Sequence, residues 1–123
     1  MHGKKILVVE DELIAAKSLA KKLNRAGYEV IDIVSHGEKA IKVALKEQPD
    51  LVLMDIRIKG NMDGIEARTE IGKHLQIPVI YVTAYADKET MERAWATKPY
   101  GYLTKPFKFP QVLAKIEMAL EKP

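Results

Sequence analysis

Glu10 and Asp11 follow the apolar run Ile6-Leu7-Val8-Val9, and Asp55 follows Leu51-Val52-Leu53-Met54. Thr83 closes Val79-Ile80-Tyr81-Val82, and Thr104, Lys105 and Pro106 follow Tyr102-Leu103. If these carboxylates are brought together they repel one another, and the repulsion is relieved by taking up protons or a cation. A donor set made only of oxygens, without His or Cys, suits a hard divalent ion such as Mg2+, which takes one or two carboxylates and leaves room for water and phosphate oxygens. Thr83 and Lys105 are the residue types that donate hydrogen bonds and charge to a phosphoryl group in transfer. One carboxylate is then available as the nucleophile that becomes an acyl phosphate. Taken singly, an acid at a strand end is as readily the cap of the next helix, and a lone lysine is usually solvated. What separates the two readings is that polar residues fall at four run ends of one chain.

For those residues to converge, the runs must be parallel strands whose carboxyl ends share one edge, since open parallel sheets bind ligands there. The pattern meets that requirement. Strands are expected at Lys5 to Glu10, Glu29 to Val34, Leu51 to Asp55, Val79 to Thr83 and Tyr102 to Thr104, and three of them are continuously apolar, as strands buried on both faces are. Between them, Leu13, Ala16, Leu19, Ala20 and Leu23 recur at helical spacing, with Gly27 placed for a left-handed helix end. Ala40, Ile41, Ala44 and Leu45 mark a second helix closed by Pro49, and Ile65, Ile71 and Leu75 a third with Pro78 beyond it. A fourth runs from Asp87, an N-cap candidate, to Thr97, and Val112, Leu113, Ile116, Ala119 and Leu120 make the last, with Pro110 in its first turn. Alternating β and α elements predict an α/β doubly wound parallel sheet of five strands flanked by five helices.

Composition narrows the function classes. A chain of 123 residues with 47% hydrophobic and 30% charged residues predicts one globular domain over residues 1–123. The net charge of +3 is spread along the chain, so no nucleic-acid footprint is expected. Without cysteine there is no thiol chemistry, and no apolar run is long enough for a signal peptide or a membrane span, so a cytoplasmic location is expected. The chain stops as its last helix stops, so an output domain is expected to be absent or removed.

At these same residues the sequence resembles the receiver domain of two-component response regulators over essentially its whole length. Five anchors occur in order: Ile6 to Glu12, Asp50 to Asp55, Met62-Asp63-Gly64, Val82-Thr83-Ala84 and Gly101 to Phe107. The resemblance implies a flavodoxin-like strand order 2-1-3-4-5. It implies that Asp55 is the phosphoacceptor, that Asp11 and Asp55 hold Mg2+ together with the backbone carbonyl of Arg57, and that Glu10 reaches the ion through water. Thr83 matches the switch hydroxyl, Lys105 the site lysine, and Tyr102 the aromatic whose ring moves inward when Thr83 is drawn to the phosphoryl group. A cis Lys105-Pro106 bond belongs to the same pattern. Implied partners are a sensor histidine kinase or phosphotransfer protein and an output partner that the sequence does not name. A homodimer through the fourth helix, fifth strand and fifth helix is among the expected assemblies. The domain would signal rather than turn over a metabolite, assisting its own phosphorylation and dephosphorylation.

This chain departs from the commoner receiver pattern in two places. Glu10 stands where many receivers have Asp, and the loop from Asp55 to Gly64 is one residue longer and lacks a proline. With Thr97-Lys98-Pro99-Tyr100-Gly101-Tyr102 before the lysine, it resembles receivers found alone or beside sensor-kinase modules. Arg57 and Tyr85 stand where side chains shield or expose the phosphoryl group. Lys59 through Glu70 imitates a calcium loop, but Lys59 takes the first ligand place, and Asp63-Gly64 reads better as a turn starting the third helix. No glycine-rich nucleotide motif occurs, and His2, His36 and His74 lack the spacing of a zinc helix. Trp95, Tyr100, Phe107 and Phe109 are candidates for a partner surface, with core packing as the plainer role. The rival readings are an interaction scaffold that is never phosphorylated, and a flavodoxin-like redox or phosphatase domain.

Overall fold

A computed structural model describes residues 3–121. The elements run β1 (Lys5–Val9), α1 (Leu13–Arg25), β2 (Glu29–Val34), α2 (Gly37–Glu47), β3 (Leu51–Met54), α3 (Gly64–Gly72), β4 (Val79–Thr83), α4 (Lys88–Ala96), β5 (Gly101–Thr104) and α5 (Phe109–Glu121). The strands form one sheet in the order β2-β1-β3-β4-β5, and every pairing is parallel. His2 lies outside the described residues.

Side chains alternate across a strand, so each central strand feeds two cores. Leu7, Val9, Met54 and Tyr81 point to the layer closed by Ala40 and Ala44 of α2, Ile65 and Ile71 of α3 and Ala94 of α4. Ile6, Val8, Leu53 and Val82 point to the other, closed by Ala16 and Leu23 of α1 and Val112 and Ile116 of α5. This double burial explains why β1, β3 and β4 read as unbroken apolar runs.

Several boundaries differ from expectation by a residue. β1 ends at Val9 and β3 at Met54, so Glu10 and Asp55 stand just past the ladder, yet each still donates a backbone bond to it: Glu10 N to Val34 O and Asp55 N to Val9 O, both 2.9 Å. β5 begins at Gly101, and α4 is one residue shorter at each end because Asp87 and Thr97 are its caps. Gly27 takes the expected positive φ of 101° after α1.

Two residues of the apolar stripes are exposed although their helices form as expected. Leu13 is 55% and Leu45 36% exposed, and Ile14 beside Leu13 is 87% exposed. The aromatic candidates divide: Tyr100, Phe107 and Phe109 pack against the α1/α5 core, whereas Trp95 is 47% exposed. Among the described residues no helix is long and apolar enough to cross a membrane.

Candidate functional site

Because all strands run parallel, the residues after β1, β3, β4 and β5 emerge on one edge, where the chain places Glu10, Asp11, Asp55, Thr83 and Lys105. One carboxylate oxygen from each of Glu10, Asp11 and Asp55 lies within 4.8 Å of the others, and among the described residues this is the one cluster of possible metal ligands. Opposed ligands on one Mg2+ stand about 4.2 Å apart, so the three acids need only small side-chain adjustments to share a hard cation. Glu10 and Asp55 are buried and Asp11 half-buried.

Lys105 is tied to two of the acids. Its Nζ donates to Glu10 Oε1 at 2.5 Å and to Asp55 Oδ2 at 2.9 Å. The remaining oxygens are also engaged: Glu10 Oε2 accepts the Glu12 N–H at 3.0 Å, and Asp55 Oδ1 the Ile56 N–H at 2.7 Å. The methylene that distinguishes Glu10 from Asp thus supplies reach to Lys105. Burial pushes the Glu10 carboxyl above its ordinary pKa, against the hydrogen bonds from Lys105 and Glu12. Burial also works to lower the Lys105 ammonium, but its bonds to Glu10 and Asp55 and their charges outweigh that and hold it above the ordinary lysine value. The Lys105-Pro106 peptide is cis, and Lys105 N donates to Thr83 O at 2.8 Å, anchoring the lysine to β4.

Thr83 is fully buried, and its hydroxyl has only a long contact, 3.4 Å, from the Tyr85 N–H. Tyr102 Oη donates to the Tyr85 backbone carbonyl. The Tyr102 ring lies between Tyr81, at 6.0 Å and tilted 55°, and Trp95, stacked at 6.4 Å. The side chain of Arg57 lies over the Tyr85 ring, 4.4 Å from its centroid, bridging the loops after β3 and β4.

Backbone packing fixes the phosphoacceptor candidate from behind. Gly64 N donates to Ile56 O at 2.7 Å, and a Cβ on Gly64 would lie 2.0 Å from the Asp55 carbonyl oxygen. Asp63 caps α3 in a reciprocal box with Glu66. The carboxylates of the calcium-loop imitation are thereby engaged elsewhere, Asp63 and Glu66 in the cap and Glu70 with Lys73 at 2.7 Å. The longer loop is held at Lys59, whose N–H donates to Ser35 O at 2.8 Å, and turns at Gly60 with φ of 96°.

Sequence reasoning missed four contacts here: the direct Glu10–Lys105 pair, the Trp95–Tyr102 stack, Arg57 over Tyr85, and an ion pair between Arg93 and Asp63 at 3.0 Å. None leaves a periodic trace. The one available signal was the acidic Asp63 beside an arginine-bearing fourth helix, and that is common on any surface.

Comparison with known proteins agrees with the geometry. The family model of the response regulator receiver domain matches residues 6–117. The transcriptional regulatory protein PdtaR of Mycobacterium tuberculosis is 33% identical over 119 residues, covering 97% of this chain and 58% of its own length. The chain thus spans about half the length of the curated relatives it matches. Among solved structures, the signal receiver domain of a modulated diguanylate cyclase from Desulfovibrio desulfuricans superposes with a TM-score of 0.88 at 36% identity, covering 94% of this chain and 92% of that one. The BeF3-activated N-terminal receiver domain of Klebsiella pneumoniae RstA gives 0.89 at 25% identity, covering 97% and 100%. A match over nearly the whole chain, with the strand order and the acidic edge already established, places it in a signalling family: this chain belongs to the response regulator receiver domains.

Proposed function

We propose that Asp55 accepts a phosphoryl group from a phosphohistidine of a sensor kinase or phosphotransfer protein, and that the modified domain presents a changed surface to its output partner. The observation that carries this is the grouping of Glu10, Asp11 and Asp55 within 4.8 Å, with Lys105 bonded to two of them. The RstA receiver is described as BeF3-activated; that anion resembles a phosphoryl group, which supports the same role for the matching edge here.

In this reading a carboxylate oxygen of Asp55 attacks phosphorus in line. The bond from phosphorus to the donor imidazole nitrogen breaks, and its electron pair stays on that nitrogen. Mg2+, held by Asp11, Asp55 and the Arg57 backbone carbonyl with Glu10 reaching it through water, would neutralise charge on the phosphoryl oxygens. Lys105 supplies a second positive charge at Asp55. The buried Thr83 hydroxyl has no strong partner to surrender, so it is free to donate to a phosphoryl oxygen, and Tyr102 follows it. The surface that changes is α4, β5 and α5, which is also where a homodimer would form. Exposed Leu13 and Ile14, next to the acidic rim, suit a macromolecular donor more than a small one. A composition without cysteine suits the cytoplasm.

The test is incubation with Mg2+ and a small phosphodonor, followed by intact mass. One phosphate increment, absent in Asp55→Asn, is the expected result. No increment with any donor would favour an interaction scaffold.

A further inference from the structure

α4 is held to the rest of the protein by few groups. Of its residues Ala94 alone is buried. Beyond that, Thr97 at its C-terminal cap meets Tyr81 Oη at 2.8 Å, the Trp95 indole stacks on Tyr102, and Arg93 Nη2 lies 3.0 Å from Asp63 Oδ2.

Asp63 does two jobs with its two oxygens. Oδ1 caps α3 by accepting the Glu66 N–H at 2.9 Å, and Oδ2 takes Arg93. The next residue, Gly64, is seated on the backbone of Asp55 so closely that no side chain fits between them. Groups packed at that density shift together rather than deform. A rearrangement at Asp55 therefore reaches Asp63 by backbone contact and reaches α4 through the guanidinium.

We propose that the Asp63–Arg93 ion pair is a second line of coupling between Asp55 and α4, parallel to the one through Thr83 and Tyr102. It rests on the reading of Asp55 as phosphoacceptor, and makes Arg93 a positioning residue for α4. The pair is partly open to solvent, with side-chain exposures of 45% for Arg93 and 25% for Asp63, so the coupling weakens as salt rises. Reciprocity requires that whatever fixes α4 through Arg93 also bias the Asp55 site.

The experiment uses the full chain with Mg2+ and beryllofluoride. Trp95, the single tryptophan, reports α4 by fluorescence, amide exchange along α4 gives an independent readout, and intact mass after a small phosphodonor reports occupancy of Asp55. Asp63→Asn keeps a capping oxygen and removes the charge; Arg93→Gln removes the other partner. At saturating phosphodonor both variants are expected to reach the wild-type occupancy of Asp55, while the α4 response falls to about half or less. The double variant should fall no further, and about 1 M salt should bring the wild type down to the variants. Unchanged responses in Asp63→Asn and Arg93→Gln, or losses that add in the double variant, overturn the coupling alone. A wild type that takes up neither phosphate nor beryllofluoride overturns the reading of Asp55 and this inference with it.

Discussion

Lys105 Nζ lies 2.9 Å from Asp55 Oδ2, although β4 separates the strands that carry them. The lysine spans that strand because its own N–H is bonded to Thr83 O, and it ends on Glu10 as well as Asp55. One ammonium thus holds two buried acids that would otherwise face each other uncompensated. The same arrangement puts the Lys105 ammonium directly against Asp55, so negative charge brought to Asp55 meets a cation already in place. Thr83, between them on β4, is the neutral member of the row.

Removing that ammonium should cost stability and raise dependence on a metal. In Lys105→Ala, Glu10 and Asp55 lose their shared partner while remaining buried, and the chain is expected to lose about 2 kcal/mol at neutral pH, allowing for the lysine's partial exposure. Millimolar Mg2+ should then stabilise the variant more than the wild type, because it is the cation left to separate the acids. Urea unfolding with and without Mg2+ measures both effects; equal metal stabilisation in the two proteins would contradict the assignment of Lys105 as their common counter-ion.

Arg57 over Tyr85 closes the gap between the loops after β3 and β4. A cation over an aromatic ring at an exposed site is worth about 0.5–1 kcal/mol, enough, with Asp55 as the proposed phosphoacceptor, to change water access to its phosphoryl group by a few-fold. Arg57→Ala and Tyr85→Ala should each shorten the phosphoryl lifetime about two- to fivefold, and the double variant should lose no more than the larger single effect. The decay of the phosphorylated mass after donor removal checks this. Lifetimes that multiply in the double variant would show that the two side chains act separately.

The sequence makes some of this site easy to see and leaves other parts hidden, for physical reasons. Glu10, Asp11, Asp55 and Thr83 are legible because each ends or follows an apolar run buried on two faces, and Lys105 because it follows the short edge strand β5. The parallel sheet followed from that same pattern, but its order 2-1-3-4-5 came from family resemblance, since periodicity carries no lateral order. Helical spacing shows that Leu13 shares a face with Ala16, Ala20 and Leu23, but not that Leu13 is exposed at the start of α1. Arg57 on Tyr85 and Arg93 on Asp63 were not legible: long side chains reach across elements, and their partners are chosen by loop paths. Gly64 was read as a turn residue, whereas its contact with the Asp55 carbonyl is what excludes any side chain there.

Two glycine substitutions separate backbone from side-chain crowding. Gly64→Ala puts a Cβ 2.0 Å from the Asp55 carbonyl oxygen, which cannot retreat without moving the acid itself. Gly37→Ala puts one 2.3 Å from Met62 Cγ, the middle of a flexible side chain that can turn away. The first should destabilise by about 3 kcal/mol and abolish phosphorylation; the second should cost about 1 kcal/mol and leave phosphorylation near wild type. Denaturant midpoints and intact mass give both readings, and a Gly64→Ala protein that is phosphorylated normally would mean that the Asp55 backbone has slack.

Tyr81 gives the alkaline edge of stability a definite origin. Its hydroxyl is bonded to Thr97, whose own hydroxyl donates to Ala94 O at 2.6 Å, so Tyr81 acts as donor. Burial raises its pKa from 10.0 to about 12, against the lowering effect of the Arg68 charge. The folded state therefore keeps this proton after the unfolded chain has released it. The contribution is fully present below pH 10.0 and is lost as pH rises toward about 12, a span corresponding to about 2–3 kcal/mol. Tyr81→Phe should be about 1 kcal/mol less stable than wild type at pH 8, where only the hydrogen bond is missing. Near pH 11.5 the order should narrow or reverse, because the variant has no phenol to ionise. Urea unfolding of both proteins across this range isolates Tyr81 from the other titrating groups, and a stability difference that stays constant to pH 11.5 would show that the Tyr81 phenol titrates alike in the folded and unfolded chains.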